Sequence, residues 1–295
     1  MDLGIGTAQF GFSYGVSNAG GKVDPKQAKQ ILALCTQRCV SVVDTAYSYG
    51  ESENVIGSGL PSNHGLKIVT KIPPLKDLPP RNSSYQGVRE IVATSLSRLN
   101  QSSIYGLLVH DVNDLYAPYG ADLYRAMQDL QSEGRVSRIG VSIYSDDEID
   151  RVLENFDIHL LQAPVSIFDQ RLVTGGHLER LKDHSVEIHA RSIFLQGLLL
   201  MRPEELPGHF DRVRPLLLKY QETVRNSGLT LIQAALNYVK NVEAVDCAIV
   251  GVTSPTEFEE VCAAWAGSRA LTFEPARFSL NDVQIINPTF WPADA

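Results

Sequence analysis

The stretch SVVDTAYSYGESENVIGSGLPSNHGLKIVTKIPP, residues 41–74, holds two short, mostly apolar runs separated by a polar, glycine-bearing interval. The runs Ser41–Ala46 and Lys67–Ile72 are strand-length, and their near-continuous apolar character is that of parallel strands buried on both faces. Each also carries an ionisable group at its end. Asp44 closes the first, with Tyr49 five positions on; Lys71 lies in the second, which Pro73-Pro74 halts.

Working outward, the pattern recurs. Further strands are predicted at Leu3–Thr7, Tyr105–His110, Arg138–Ser142, Leu160–Pro164, Glu187–Ile193 and Ala248–Val252. Segments of helical period lie between them, with recognisable ends. Asp24 before Pro25, and Ser254 before Pro255, each place a capping side chain ahead of a proline at the first helical position. Leu123, Met127 and Leu130 share one helical face that stops at Gly134. Eight strand–helix alternations without a long linker predict one α/β domain over residues 1–295, a (β/α)8 barrel. Extended loops are expected after strands four and seven, the latter at the proline-bearing Arg202–Arg214, with a C-terminal tail beyond the last helix.

The bulk numbers agree with that class. The 295 residues are 44% hydrophobic and 20% charged, enough apolar content for a large core. A formal charge of -8 with no basic run excludes a nucleic-acid surface. No apolar run approaches the ~20 residues of a membrane span, and MDLGIGTAQFG at the start lacks the basic n-region of a signal peptide. Cys35 and Cys39 sit one helical turn apart and, with Cys247 and Cys262, show no metal-type spacing, so helix packing and reduced thiols in a cytoplasmic protein are expected. Monomer and homo-oligomer both stay open.

Barrel enzymes place their chemistry at the C-terminal ends of the strands. There, Asp44, Tyr49, Lys71 and His110 fall on three consecutive predicted strands and can converge over one pocket. A buried lysine needs a carboxylate, which pairs Asp44 with Lys71. A cation beside a phenol should lower its pKa, making Tyr49 a proton donor to an oxygen that gains charge. His110 would hydrogen-bond the same oxygen. Each residue alone has a plainer reading: Asp44 as a strand-end cap, Tyr49 as a packed surface aromatic, His110 as a satisfied structural histidine. No metal is expected, because His110 and Asp111 are offered no third ligand.

In this arrangement the chain resembles the aldo-keto reductase superfamily. The resemblance runs through DTAYSYGESENVIG, IVTKI, SLSRLNQSSIYGLLVHD, EGRVSRIGVS, LLQAPVSIFDQR, HARSIFLQGLLL and AIVGVTSPTEFEEV, in family order over nearly the whole chain. It implies a catalytic tetrad of Asp44, Tyr49, Lys71 and His110 and an NADPH or NADH cofactor lying across the barrel mouth. Gly6 and Thr7 match positions near the nicotinamide; Ser142 and Gln162 match groups that bind its carboxamide. Ile143 stands where relatives often have Asn. Arg191, followed by Ser192, replaces an aromatic that stacks on the nicotinamide, and either stacks likewise or pairs with a carboxylate. Gly251, Ser254 and Glu257 fall at the adenosine end, where NADPH-preferring relatives carry basic residues and this chain has none. Val261 replaces an Asn often found near the adenine. The free backbone N–H groups near Ser254 offer an anion site, while Glu257 would repel a 2′-phosphate. Family habit tips the balance slightly to NADPH.

The implied activity is reduction of an aldehyde or ketone, with a sugar or other small polar carbonyl as substrate. Phe10, Tyr14, Tyr47, Phe290 and Trp291 are candidate pocket walls, the tail pair also reading as lid packing. Rival readings are the reverse dehydrogenase, a cofactor-binding regulatory subunit with little turnover, and an aldolase using Lys71 as a Schiff base. The last is disfavoured because Asp44 would keep the amine protonated.

Overall fold

The computed structural model describes residues 1–61 and 64–292. Eight parallel strands close in sequence order: β1 (Asp2–Gly6), β2 (Val40–Asp44), β3 (Lys67–Ile72), β4 (Ile104–Val109), β5 (Val136–Ser142), β6 (Leu160–Pro164), β7 (Glu187–Arg191) and β8 (Cys247–Gly251). β8 returns to β1 with Gly6 opposite Gly251, so the barrel has no free edge. Several predicted runs overshoot at their C-terminal ends: Thr7, Ala46, His110, Ile193 and Val252 lie just outside the ladder. There the backbone leaves the sheet to enter the loops of the mouth.

Alternation along the strands sorts the barrel interior into layers. Val42, Val69, Leu108, Leu160, Cys247 and Ile249 fill the middle. Asp44 follows Val42 and Lys71 follows Val69 at a spacing of two, which lifts both ionisable groups into the layer above. Outside the sheet, helices seal it. Asp24 caps the Pro25–Cys35 helix by accepting from Lys26 N at 2.8 Å, and Ser254 caps Pro255–Ala266 by accepting from Glu257 N at 3.1 Å. Leu123, Met127 and Leu130 of the Gly120–Ser132 helix are buried, each worth about 1.5–3 kcal/mol against exposure. Gly134 follows with φ +71, as a helix stop requires.

The long loop expected after β7 runs to Val213 and is built from short 3₁₀ turns, among them Pro203–Glu205 and Gly208–Val213, which lead into a helix over Arg214–Asn226. A proline opens that helix and the first turn at an early position, and the 3₁₀ bonding satisfies backbone that a loop would leave to water. Cys39 does not pack inside a helix with Cys35; the helix ends at Cys35, and Cys39 is exposed in the turn before β2. In the tail, Trp291 packs edge-on against Phe210 at 4.8 Å and donates to Ile285 O, while Phe290 is half exposed. Residues 293–295 of the tail lie outside the described residues. No described helix is long and apolar enough to cross a membrane, and no three described His, Cys, Asp or Glu side chains are grouped to hold a metal.

Candidate active site

The floor of the mouth is an ion pair. Lys71 and Asp44 are both almost wholly buried. The Lys71 ammonium donates to both carboxylate oxygens of Asp44 and to the Thr45 carbonyl, each at 2.8 Å. An ammonium has three donors, and these contacts use them all. Gln162 Nε2 also donates to Asp44 Oδ1 at 2.7 Å, spending on the carboxylate a group expected to face a carboxamide. Burial pulls the Lys71 pKa below its ordinary value, and Asp44 works against that pull.

Tyr49 stands over this pair. Its N–H donates to Ala46 O at 3.0 Å, and its carbonyl accepts from Ser52 N at 2.9 Å. The neighbouring loop presses so close that a Cβ on Gly11 would come within 1.7 Å of Tyr49 O, so only glycine fits there. The Tyr49 ring lies 5.3 Å from Lys71 Nζ and edge-on to His110 at 5.8 Å between centroids. The expectation that Lys71 lowers the phenol is corrected: burial first, and then Asp44, hold Tyr49 well above the ordinary phenol value. The Asp44 charge offsets that of the lysine bound to it, and the phenol remains a proton donor.

His110 hydrogen-bonds Ser48 Oγ through Nδ1 at 3.2 Å. Burial, followed by the positive charges of Lys71 and Arg191, pushes its pKa down to about 3. It therefore works as a neutral imidazole.

These groups open into a cavity of about 450 Å³. Gly6, Thr7, Asp44, Tyr49, Lys71, His110, Ser142, Gln162, Arg191, Ser192, Gly251 and Glu257 all line it, as the sequence suggested. Ser254 does not; its hydroxyl is committed to capping. Tyr14 lines the cavity, but Phe10 is buried in the outer core, because the chain after β1 turns helical over Ala8–Gly11 and points it inward. Tyr47 faces away too, under the Arg98 guanidinium at 4.5 Å, and neither Phe290 nor Trp291 reaches the cavity.

Arg191 pairs with no carboxylate among the described residues. It donates to Ile143 O at 2.7 Å and Ser192 Oγ at 3.1 Å, and its guanidinium lies 4.0 Å over the Tyr144 ring. Tyr144, Gln9 and Phe194 are wall residues that the sequence reading missed. Nothing local marks them, since each follows from loop geometry. Ser192, Leu195 and Gln196 hold φ of 60, 47 and 52, an uncommon conformation for residues with side chains that concentrates at functional sites. Gly197 seats this loop: a Cβ there would meet Ser17 Oγ at 1.7 Å.

At the other end of the cavity the Pro255–Ala266 helix begins. Glu257 Oε2 accepts from Thr253 N at 2.7 Å and Thr253 Oγ1 at 2.8 Å, and Glu257 N donates to Ser254 Oγ. The expected anion site is thus largely taken by the chain's own groups, and Pro255 supplies no N–H at all. Glu260 adds a second carboxylate beside Glu257, next to Val261.

A profile of the Aldo/keto reductase family matches residues 2–272. The chain is 25% identical over 264 residues to an NADH-specific methylglyoxal reductase of Escherichia coli (strain K12), covering 78% of this chain and 80% of that protein. It is 25% identical over 185 residues to a D-threo-aldose 1-dehydrogenase of Pseudomonas sp, covering 59% of this chain and 56% of that one. An aldo-keto reductase structure from Bacillus halodurans, in its holo form, superposes with a TM-score of 0.74 at 20% identity, over 94% of this chain and 90% of that one; at that identity the likeness speaks for the fold.

Proposed function

We propose, from the premise that this chain belongs to the aldo/keto reductase family, that it reduces the carbonyl of a small polar aldehyde or ketone, with Tyr49 as the proton donor. Its class is that of an NAD(P)-dependent oxidoreductase. The observation that carries the reading is the edge-on pair of Tyr49 and neutral His110 beside the closed Lys71–Asp44 pair at the floor of one cavity.

The residues present suit a nicotinamide cofactor. The cavity runs from the polar groups Ser142, Gln162 and Arg191 to Gly251 and Glu257, and Gly6 and Gly251 put no side chain in the way. The Arg191 guanidinium, already stacked on Tyr144, offers a planar cationic face. When bound, the cofactor supplies the hydride.

The protein's own part is to hold and polarise the carbonyl. Tyr49 O–H and a donor N–H of His110 would converge on the substrate oxygen, Tyr49 giving up its proton as charge builds there. A phenol is a weak acid for this task, so transfer depends on timing: the growing alkoxide is the stronger base. Lys71 supplies positive potential beneath the phenolate that forms, and Asp44 fixes the lysine in place. The same steps run backward oxidise an alcohol. His110 stays uncharged and so does not compete as an acid.

The adenosine end supports NADH more than NADPH. Its walls carry Glu257 and Glu260, and no lysine or arginine lines that end among the described residues. A 2′-phosphate there would face like charge, whereas a ribose hydroxyl can donate to a carboxylate. Such a preference matches that of the Escherichia coli relative, which is NADH-specific. That relative and the Pseudomonas one act on small, oxygen-rich carbonyl compounds by name, which supports methylglyoxal and aldoses as the first substrates to try. We read residues 1–295 as one barrel domain acting in the cytoplasm.

The test is turnover of methylglyoxal and a panel of aldoses with each cofactor, beside fluorescence titration of NADH and NADPH. Binding of NADH with reduction of at least one carbonyl supports the reading. Failure to bind either cofactor overturns it.

A further inference from the structure

Three of the four thiols gather away from the active site. They lie at the seam between the end of the Pro25–Cys35 helix and the Pro255–Ala266 helix. Cys35 and Cys262 are buried, and Cys39 is exposed. Arg38 pins the seam by donating to Glu259 Oε1 at 2.8 Å. Cys39 is the next residue after Arg38, and Cys262 is one helical turn beyond Glu259 on the same face. The ion pair therefore holds the turn that carries Cys39 against the helix face that carries Cys262, and Cys39 is close enough to help raise the Cys262 thiol.

We propose that Cys39 and Cys262 form a reversible intrachain disulfide when the protein meets a hydroperoxide. In the first step the Cys39 sulfur attacks a peroxide oxygen and the O–O bond breaks. Cys39 becomes a sulfenic acid, and hydroxide or alkoxide leaves to be protonated by solvent. In the second, the Cys262 sulfur attacks Cys39, the S–O bond breaks, and water departs as the S–S bond forms. Two thiols lose two electrons in all, and the peroxide gains them. The order follows from exposure: oxidant reaches Cys39, whereas Cys262 is buried, and burial pushes its thiol up to about 12. The bond would staple the turn before β2 to the helix that carries Glu257, Glu260 and Val261 into the cavity wall.

The experiment exposes the folded, reduced protein to hydrogen peroxide, blocks remaining thiols with an alkylating reagent, and maps peptides without reduction. Loss of two hydrogens and a single linked pair of peptides, holding Cys39 and Cys262 and undone by dithiothreitol, is the expected result. Cys262→Ser should abolish the link and leave Cys39 as a sulfenic acid that dimedone captures more than in wild type. Cys35→Ser should leave the link in place. A link to Cys35, a Cys39–Cys39 bond between two chains, or overoxidation of Cys39 with Cys262 still free would each overturn the proposal.

Discussion

Lys71 and Asp44 meet in a two-pronged contact, 2.8 Å on each oxygen, and the one ammonium proton left over goes to the Thr45 carbonyl. Lysine thus has no donor to hand to Tyr49, whose ring lies 5.3 Å away. It acts on the phenol through its field, and only when a phenolate appears does that field have a charge to stabilise. Burial keeps the resting Tyr49 protonated, so the site stores an acid rather than a nucleophile.

Breaking the pair from one side should therefore hurt both folding and turnover. Lys71→Met leaves Asp44 buried without a cation, a loss of about 3–5 kcal/mol by the usual cost of such an orphan. Urea denaturation of the variant should show that drop, with carbonyl reduction lost. Unchanged stability would mean that Asp44 finds water or another donor.

The pH dependence has a definite sign. His110 titrates at about 3, so its neutral form prevails at every pH above that value. Tyr49 is raised, so its acid form persists beyond the ordinary phenol range. Reductive kcat/KM should run flat from about pH 5 to about pH 8, with no histidine step, and fall only on the strongly alkaline side. A titration near the ordinary histidine value that vanishes in His110→Gln would contradict this.

Glu257→Arg should move cofactor preference toward NADPH. The substitution removes a carboxylate from the adenosine end and adds a guanidinium. A charge-assisted hydrogen bond worth about 1.5–3 kcal/mol corresponds to a roughly ten- to hundredfold change in the affinity ratio. Fluorescence titration with both cofactors reads it directly. An unaltered ratio would show that Glu257 does not face the ribose.

At the opposite end of the barrel, Glu187 accepts from His189 Nε2 at 2.9 Å and from the Tyr105 hydroxyl. Burial pushes its pKa up, but these bonds outweigh burial and bring it down to about 2. A depressed carboxylate adds stability above its ordinary value of 4.5, and that stability is lost as pH falls through about 2. Denaturation midpoints should decline across that window, less steeply in Glu187→Gln. Parallel slopes for the two proteins would rule out this carboxylate as the cause.

What the sequence disclosed follows from where its constraints are local. Val42, Val43, Val69 and Leu108 must be apolar because both faces of their strands are covered, so the runs announce the strands, and the strands announce where Asp44, Lys71 and His110 stand. Asp24 and Ser254 mark helix starts by side chains that bond within two or three residues. The directions of Phe10, Tyr47 and Tyr144 are not legible in the sequence, because the direction of a loop side chain is set by distant partners: Tyr47 turns to Arg98, and Tyr144 to Arg191. The left-handed turn at Ser192, Leu195 and Gln196 was equally hidden, since no glycine stands at those positions to signal it.

Replacing one oxygen atom tests the centre of the account. Tyr49→Phe keeps the ring beside His110 and above Lys71 and removes only the donated proton. Measured in parallel, NADH affinity should stay within about twofold of wild type while kcat for carbonyl reduction falls by roughly 10²–10⁴, the usual contribution of a general acid. A variant that reduces its substrate at the wild-type rate would contradict the assignment of Tyr49 as the acid.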